Sequence, residues 1–172
     1  MVSATAATLT KPNTDALKRA RAVLMTVTDP ELPFLTIADM GILREVRLSS
    51  DTLEVVITPT YSGCPAVDVI ALDITTALAR AGFDKVRIER ALSPAWTTDW
   101  LTPVARKKLR ANGIAPPERA SGKRALFSEV EVACPSCGSN HTQRVSEFGS
   151  TACKAHYRCL ACYEPFQYFK CI

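Results

Sequence analysis

The chain has 172 residues, 47% apolar and 22% charged, with a net charge of +4. That composition excludes a low-complexity or intrinsically unfolded chain and leaves room for one ordinary domain and a small one. Residues 1–13 lack both an apolar block and a basic leader, and no uninterrupted apolar run approaches a membrane span, so the expectation is a cytoplasmic protein without membrane contact.

Residues 1–13 are small and polar without periodicity and read as a loose tail. Asn13 or Thr14 then caps a helix with Leu17, Ala20, Leu24 and Val27 at helical spacing and Lys18, Arg19 and Arg21 toward water. It stops before Thr28-Asp29-Pro30-Glu31-Leu32-Pro33, where two prolines force an extended, turn-rich loop. Asp29 and Glu31 on that loop suit a ligand or a base, although Asp-Pro is itself a common turn former. Asp39-Met40-Gly41 is a second turn, and Ile42–Leu48 and Leu53–Thr58 read as an antiparallel hairpin around Ser49-Ser50-Asp51.

The hairpin's second strand alternates as a half-buried strand does, and Pro59, Ser62 and Gly63 then break it. Pro65 belongs at the first position of a helix, where its missing N–H has no partner to lose. Cys64 therefore sits at the positive end of that helix, which favours thiolate over thiol. A thiolate there suits attack on an electrophile or binding of a soft metal; the alternative is one more buried, small apolar residue. The helix carries Val67, Ile70, Ala71, Ile74, Leu78 and Ala81 on one face and stops at Gly82, and Phe83–Leu92 returns as a third strand. The order helix, strand, strand, helix, strand predicts an α+β domain over 14–92, a small sheet covered by helices.

Residues 93–125 read as a connector. Trp96 and Trp100 anchor it on the sheet domain or mark a partner surface, and Asp99 or Thr102 caps a short basic helix ending at Asn112-Gly113. Residues 114–124, with Pro-Pro, Ser-Gly and basic side chains, read as a linker. From Arg106 to Arg124 there are seven basic residues against Glu118 alone, a charge that serves solvation or docks an acidic partner.

Of seven cysteines, four form Cys134-Pro135-Ser136-Cys137 and Cys159-Leu160-Ala161-Cys162, 21 residues apart, close to the spacing of four-thiolate zinc sites. Strand patterns at Leu126–Val132, Thr142–Glu147, Ala155–Arg158 and Pro165–Lys170 make 126–172 a zinc ribbon of short β-strands, in which the metal supplies folding energy. Four thiolates leave no open position for catalysis and accept an iron-sulfur cluster as well as zinc. His141, Cys153, His156 and Cys171 remain as substitute ligands. Cys153 and Cys171 read first as buried thiols.

Two stretches carry a resemblance. Asp29-Pro30-Glu31-Leu32-Pro33, Asp39-Met40-Gly41-Ile42 and Thr58-Pro59-Thr60-Tyr61-Ser62-Gly63-Cys64-Pro65 resemble the small iron-sulfur assembly domain of SufT-like proteins and of the cytosolic iron-sulfur targeting machinery. Phe148-Gly149-Ser150-Thr151-Ala152-Cys153-Lys154, with Tyr157-Arg158-Cys159, Cys162, Glu164-Pro165-Phe166 and Tyr168-Phe169-Lys170-Cys171, is similar to the zinc ribbon of phenylacetyl-CoA epoxygenase D subunits. Together they cover about Thr14 to Ile172, departing from the first family at the variable pair Tyr61-Ser62.

The resemblance implies an accessory subunit in aerobic phenylacetate degradation, a maturation factor assisting iron or iron-sulfur loading of the oxygenase and reductase subunits. Cys64 matches that family's functional thiol, with Asp29, Glu31 and Thr60 as the loop residues beside it. A single thiolate is too few for a stable cluster, so this reading calls for a homodimer, a client ligand or a small thiol. No catalytic residues are assigned: there is no carboxylate and histidine set for a diiron site, no Gly-rich dinucleotide loop, and no histidine in the Cys64 domain to serve as base. The alternatives are a non-catalytic subunit holding the complex together and, third, a nucleic-acid-binding ribbon. The last is disfavoured by the near neutrality of residues 131–172, with four basic and three acidic side chains.

Overall fold

The computed structural model describes residues 11–117 and 131–170. Most of the expected tail, most of the basic linker, most of the Leu126–Val132 strand, and Cys171 lie outside them. Helix α1 spans Lys11–Leu24, so the chain is helical ahead of the Asn13 or Thr14 cap expected from sequence. A proline as early as Pro12 does not forbid this, because first-turn N–H groups have no acceptor within the helix.

Strands β1 (Leu43–Ser49) and β2 (Thr52–Ile57) form the antiparallel hairpin, and β3 (Val86–Arg90) pairs parallel with β2. Helix α2 (Ala66–Arg80) is thus the crossover of a β-α-β unit, and β2 is the central strand. That position explains a departure from simple alternation. Leu53, Val55 and Ile57 are buried in the core with the helices, but Glu54 and Val56 are also only 6% exposed. Glu54 is covered by arginines from both neighbouring strands: Arg47 Nε donates to it at 2.5 Å and Arg87 donates to its other oxygen, while Arg47 also reaches Glu89 at 2.6 Å.

After β3 the connector is bound to the sheet domain at several points. Trp96 is 3% exposed and donates its indole N–H to the Met40 carbonyl at 2.9 Å. A 3-10 turn, Thr98–Trp100, leads to α3 (Pro103–Ala111), which Thr102 caps by accepting the Ala105 N–H at 3.0 Å. Lys108 pairs with Asp39 at 2.7 Å, and Arg106 donates to the carbonyls of Thr98, at 2.7 Å, and Pro117. Two of the basic side chains are therefore committed to internal contacts.

Ile114 and Ala115, expected to begin a linker, instead form β4. Gly113 turns the chain with φ +72° directly after α3, and the two apolar residues that follow add to the ribbon sheet beside its last strand. The ribbon strands are β5 (Thr142–Ser146), β6 (Lys154–Cys159) and β7 (Pro165–Phe169), giving the order β4-β7-β6-β5 with β4 parallel to β7 and the other pairs antiparallel.

The main core runs from α1 through the sheet and α2 to Trp96, Leu101, Leu109 and Ile114, and it ends on two ribbon residues, Cys153 and Phe169. A second, smaller cluster holds Ala115, Val132, Cys134, Cys159, Phe166 and Tyr168. The architecture is α+β, a small helix-covered sheet followed by a four-cysteine ribbon. Among the described residues no helix is long and apolar enough to cross a membrane.

Candidate functional site

The loop after β2 is fixed at both ends. Thr58 donates its N–H to Ile42 at 2.9 Å, and Cys64 donates its own to the Tyr61 carbonyl at 3.1 Å. Pro65 has helical backbone angles, φ −69° and ψ −22°, and Val67 N–H reaches back to the Cys64 carbonyl at 3.3 Å. Cys64 thus stands, half-buried, at the N-terminal end of α2. The sequence places it there because a proline tolerates only the first turn of a helix and the Pro59 to Gly63 stretch cannot continue a strand.

The acidic loop is equally ordered. Asp29 Oδ1 accepts the N–H groups of Glu31 at 2.8 Å and Leu32 at 2.9 Å, an Asx-type turn that holds Glu31 in place. Asp29 is 6% exposed. Burial raises its pKa from the ordinary carboxylate value, against the opposing pull of those two N–H groups and of Lys154.

Cys64, Asp29, Glu31 and Thr60 line one cleft, walled by Leu32, Met40, Ile42, Pro59, Val67 and Ile70. The space within is about 10 Å³, room for a single water or ion. Tyr61 packs beside the thiol, and its hydroxyl is pushed up to about 12 by burial first and then by the Cys64 sulfur. Sequence reasoning missed the other wall: Cys153 and Phe169, from the ribbon, also line this cleft. Cys153 is the buried thiol expected, 5% exposed with Thr151 Oγ1 at 3.0 Å, and burial pushes its pKa up. Nothing in its spacing shows that it shares a cleft with Cys64, since that depends on how the ribbon docks.

The second site is the ribbon's thiol cluster. The sulfurs of Cys134, Cys137, Cys159 and Cys162 all lie within 4.8 Å of one another, with Cys134 to Cys162 at 3.8 Å and Cys137 to Cys159 at 3.6 Å. A tetrahedral ion with bonds of about 2.3 Å requires sulfurs about 3.8 Å apart, so these residues fit zinc. The second knuckle directs backbone amides at its own sulfur, while the first closes through Gly138 N–H to the Cys134 carbonyl at 2.9 Å. The N–H groups of Cys162 and Ala161 point at Cys159 Sγ from 3.4 Å and, in that order, bring its thiol down to about 6. His141 contributes backbone, its carbonyl accepting from Leu160 N–H at 2.8 Å. The ion would supply no chemistry beyond cross-linking the two knuckles.

Fold and site together define an α+β domain of the iron-sulfur assembly type joined to a four-cysteine zinc ribbon. Residues 17–89 match the family described as iron-sulfur cluster assembly protein, and residues 118–170 match the PaaD zinc beta ribbon domain. An Escherichia coli (strain K12) protein that bears the name of the 1,2-phenylacetyl-CoA epoxidase D component is 51% identical over 151 residues, covering 88% of this chain and 90% of that one. The chain belongs to this PaaD family. An Fe-S protein maturation auxiliary factor of Porphyromonas gingivalis is 32% identical over 89 residues, 51% of this chain and 84% of that one. The crystal structure of a domain of unknown function, DUF59, from Bacillus anthracis shares the fold of the first half. It has a TM-score of 0.53 at 22% identity, covering 57% of this chain and 94% of that one.

Proposed function

We propose that the protein is a maturation factor of the phenylacetyl-CoA epoxidase system, receiving iron or an iron-sulfur cluster as cargo at Cys64 and delivering it to the oxygenase or reductase subunits. The observation that carries this reading is the convergence of Cys64, Asp29, Glu31 and Thr60 on one cleft in the half matched by the iron-sulfur cluster assembly family. A thiol supplies the soft ligand, and the neighbouring carboxylates supply harder oxygen donors and places for displaced protons. The cysteine relationships of the ribbon leave it closed and structural, so client recognition falls to its surface, where Val145, Phe148 and Tyr163 are each more than 60% exposed. That exposed apolar surface also favours a second reading, a non-catalytic subunit that holds the epoxidase complex together.

The deciding experiment is Cys64→Ser expressed in cells beside the epoxidase subunits, with client metal content and epoxidase activity as readouts. The maturation reading requires both to fall while the variant still folds. Unchanged metal content and activity, with co-purification at constant stoichiometry, would establish the structural reading instead.

A further inference from the structure

Resting on the carrier reading of Cys64, we propose that Cys153 is the second thiol of the same site, so that one chain presents two sulfurs to a thiophilic cargo ion, one from each half. Cys64 comes from the loop before α2 and Cys153 from the residue before β6, 89 positions later, and both line the one cleft with Asp29 and Glu31. Their chemistry is joined there. Tyr61 feels both sulfurs, and Cys153 feels Cys64, Glu31 and the neighbouring Lys154.

Lys154 sharpens the case. As a residue it is 3% exposed, a degree of burial unusual for a lysine, and its charge acts on Asp29 and on Cys153. Burial still holds both groups toward their neutral forms, and the Lys154 charge opposes that without outweighing it, so an arriving metal cation adds to a pull already present toward the ionised forms that bind it. A thiol serving only as packing needs none of this, because an alanine or valine would fill the space.

The cleft's size sets the class of ligand. Its volume of about 10 Å³ admits a single ion and excludes a preassembled cluster while the ribbon is docked. Among the described residues only the four ribbon cysteines have ligand atoms all within 4.8 Å, so Cys64, Cys153 and Glu31 must draw together on the ion. Cys64 and Glu31 are half-buried at the mouth and have rotamers to do so. Binding of a divalent ion such as Fe2+ forms two metal–sulfur bonds and releases the two thiol protons to the carboxylates or to water. No electron is transferred.

The test is anaerobic titration of the zinc-saturated full chain with Co2+, reading sulfur-to-cobalt charge-transfer absorbance. The set is wild type, Cys64→Ser, Cys153→Ser, Cys153→Ala and the Cys64→Ser/Cys153→Ser double variant, whose signal measures cobalt entering the ribbon. Two thiolates on one ion require each single variant to lose about half the absorbance above that baseline and to bind roughly tenfold or more weakly. Cys153→Ala keeps a small apolar side chain in the core, and a native thermal melt for it shows that a lost band is not lost folding. Wild-type titration by Cys153→Ser, with the band lost in Cys64→Ser, overturns the second thiol and leaves the Cys64 carrier standing. A wild type indistinguishable from the double variant overturns both.

Discussion

Trp96 meets Phe169 edge-on, ring centroids 6.2 Å apart, so the first turn of the connector and the last strand of the ribbon touch inside the core of the sheet domain. Phe169 is fully buried, and apart from Cys153 the other buried members of that core come from the sheet domain and the connector. Phe169→Ala should therefore destabilise the sheet domain by about 3–5 kcal/mol, the cost of a large cavity. Urea unfolding followed by far-ultraviolet circular dichroism and by tryptophan fluorescence will show the two signals moving to lower midpoint together. A variant whose sheet domain unfolds at the wild-type midpoint would mean that the ribbon is merely tethered.

Gly41 is the second contact on which docking of the connector depends. Its φ is +69°, and a Cβ there would fall 2.6 Å from Trp100 Cβ and 2.8 Å from the Trp100 carbonyl oxygen. Arg44 lies over the same indole at 3.5 Å, closing it from the outside. Gly41→Ala should cost about 2–4 kcal/mol, combining backbone strain with a clash of the new Cβ against the Trp100 Cβ and carbonyl. Gly82 has φ +85° with open space around the missing side chain, so Gly82→Ala isolates the strain and should cost about 1 kcal/mol. The difference between the two melting temperatures measures the contact with Trp100.

Much of this was legible in the sequence because it rests on local chemistry. The prolines around Glu31, the strand-breaking run before Cys64, the helical spacing from Val67 to Leu78 and the paired cysteines each dictate a backbone within a few residues. The elements the sequence misplaced depend on distant partners instead. Ile114 and Ala115 are a strand only because β7 lies beside them, and Glu54 is buried only because Arg47 and Arg87 reach across from neighbouring strands. Cys153 joins the Cys64 cleft through the docking of Trp96, Phe169 and Ile114, which no spacing rule encodes.

Asp29 gives a prediction in which stability and function part. Its Oδ1 accepts two N–H groups, which an asparagine oxygen would also accept, so Asp29→Asn keeps the turn and removes only a buried charge. The carboxyl's native pKa is raised, mainly by burial, above 3.8. Below 3.8 the acid is protonated in both folded and unfolded chains; as pH rises through the native value, the folded state must ionise a buried group and stability is lost. Asp29→Asn should accordingly melt above wild type at pH 7 and converge with it on acidification, whereas Asp29→Ala, losing both bonds, should fall by about 1–3 kcal/mol. If the carboxylate serves the cargo, the more stable asparagine variant will still lower client metal content in cells. A melt for Asp29→Asn below wild type at pH 7 would show that the charge is stabilising.

Removing the ribbon's metal should expose the other site. Two of the six buried residues in the ribbon's own cluster, Cys134 and Cys159, belong to the four-cysteine group that would hold the ion, so a third of that small core depends on the metal for its place. Chelation, or Cys137→Ser, should therefore unfold β5 to β7, and with them Cys153 and Phe169 leave the wall over Cys64. The sheet domain then loses part of its core, and its melting temperature drops as well. Cys64 alkylation, followed by peptide mass spectrometry, should speed up by about tenfold or more, because a thiol reacts only as fast as reagent reaches it. In zinc-replete protein, Phe169→Ala should reproduce part of that acceleration with the four ribbon cysteines still protected. Equal Cys64 reactivity with and without metal would mean that the docked ribbon does not cover the cleft in solution.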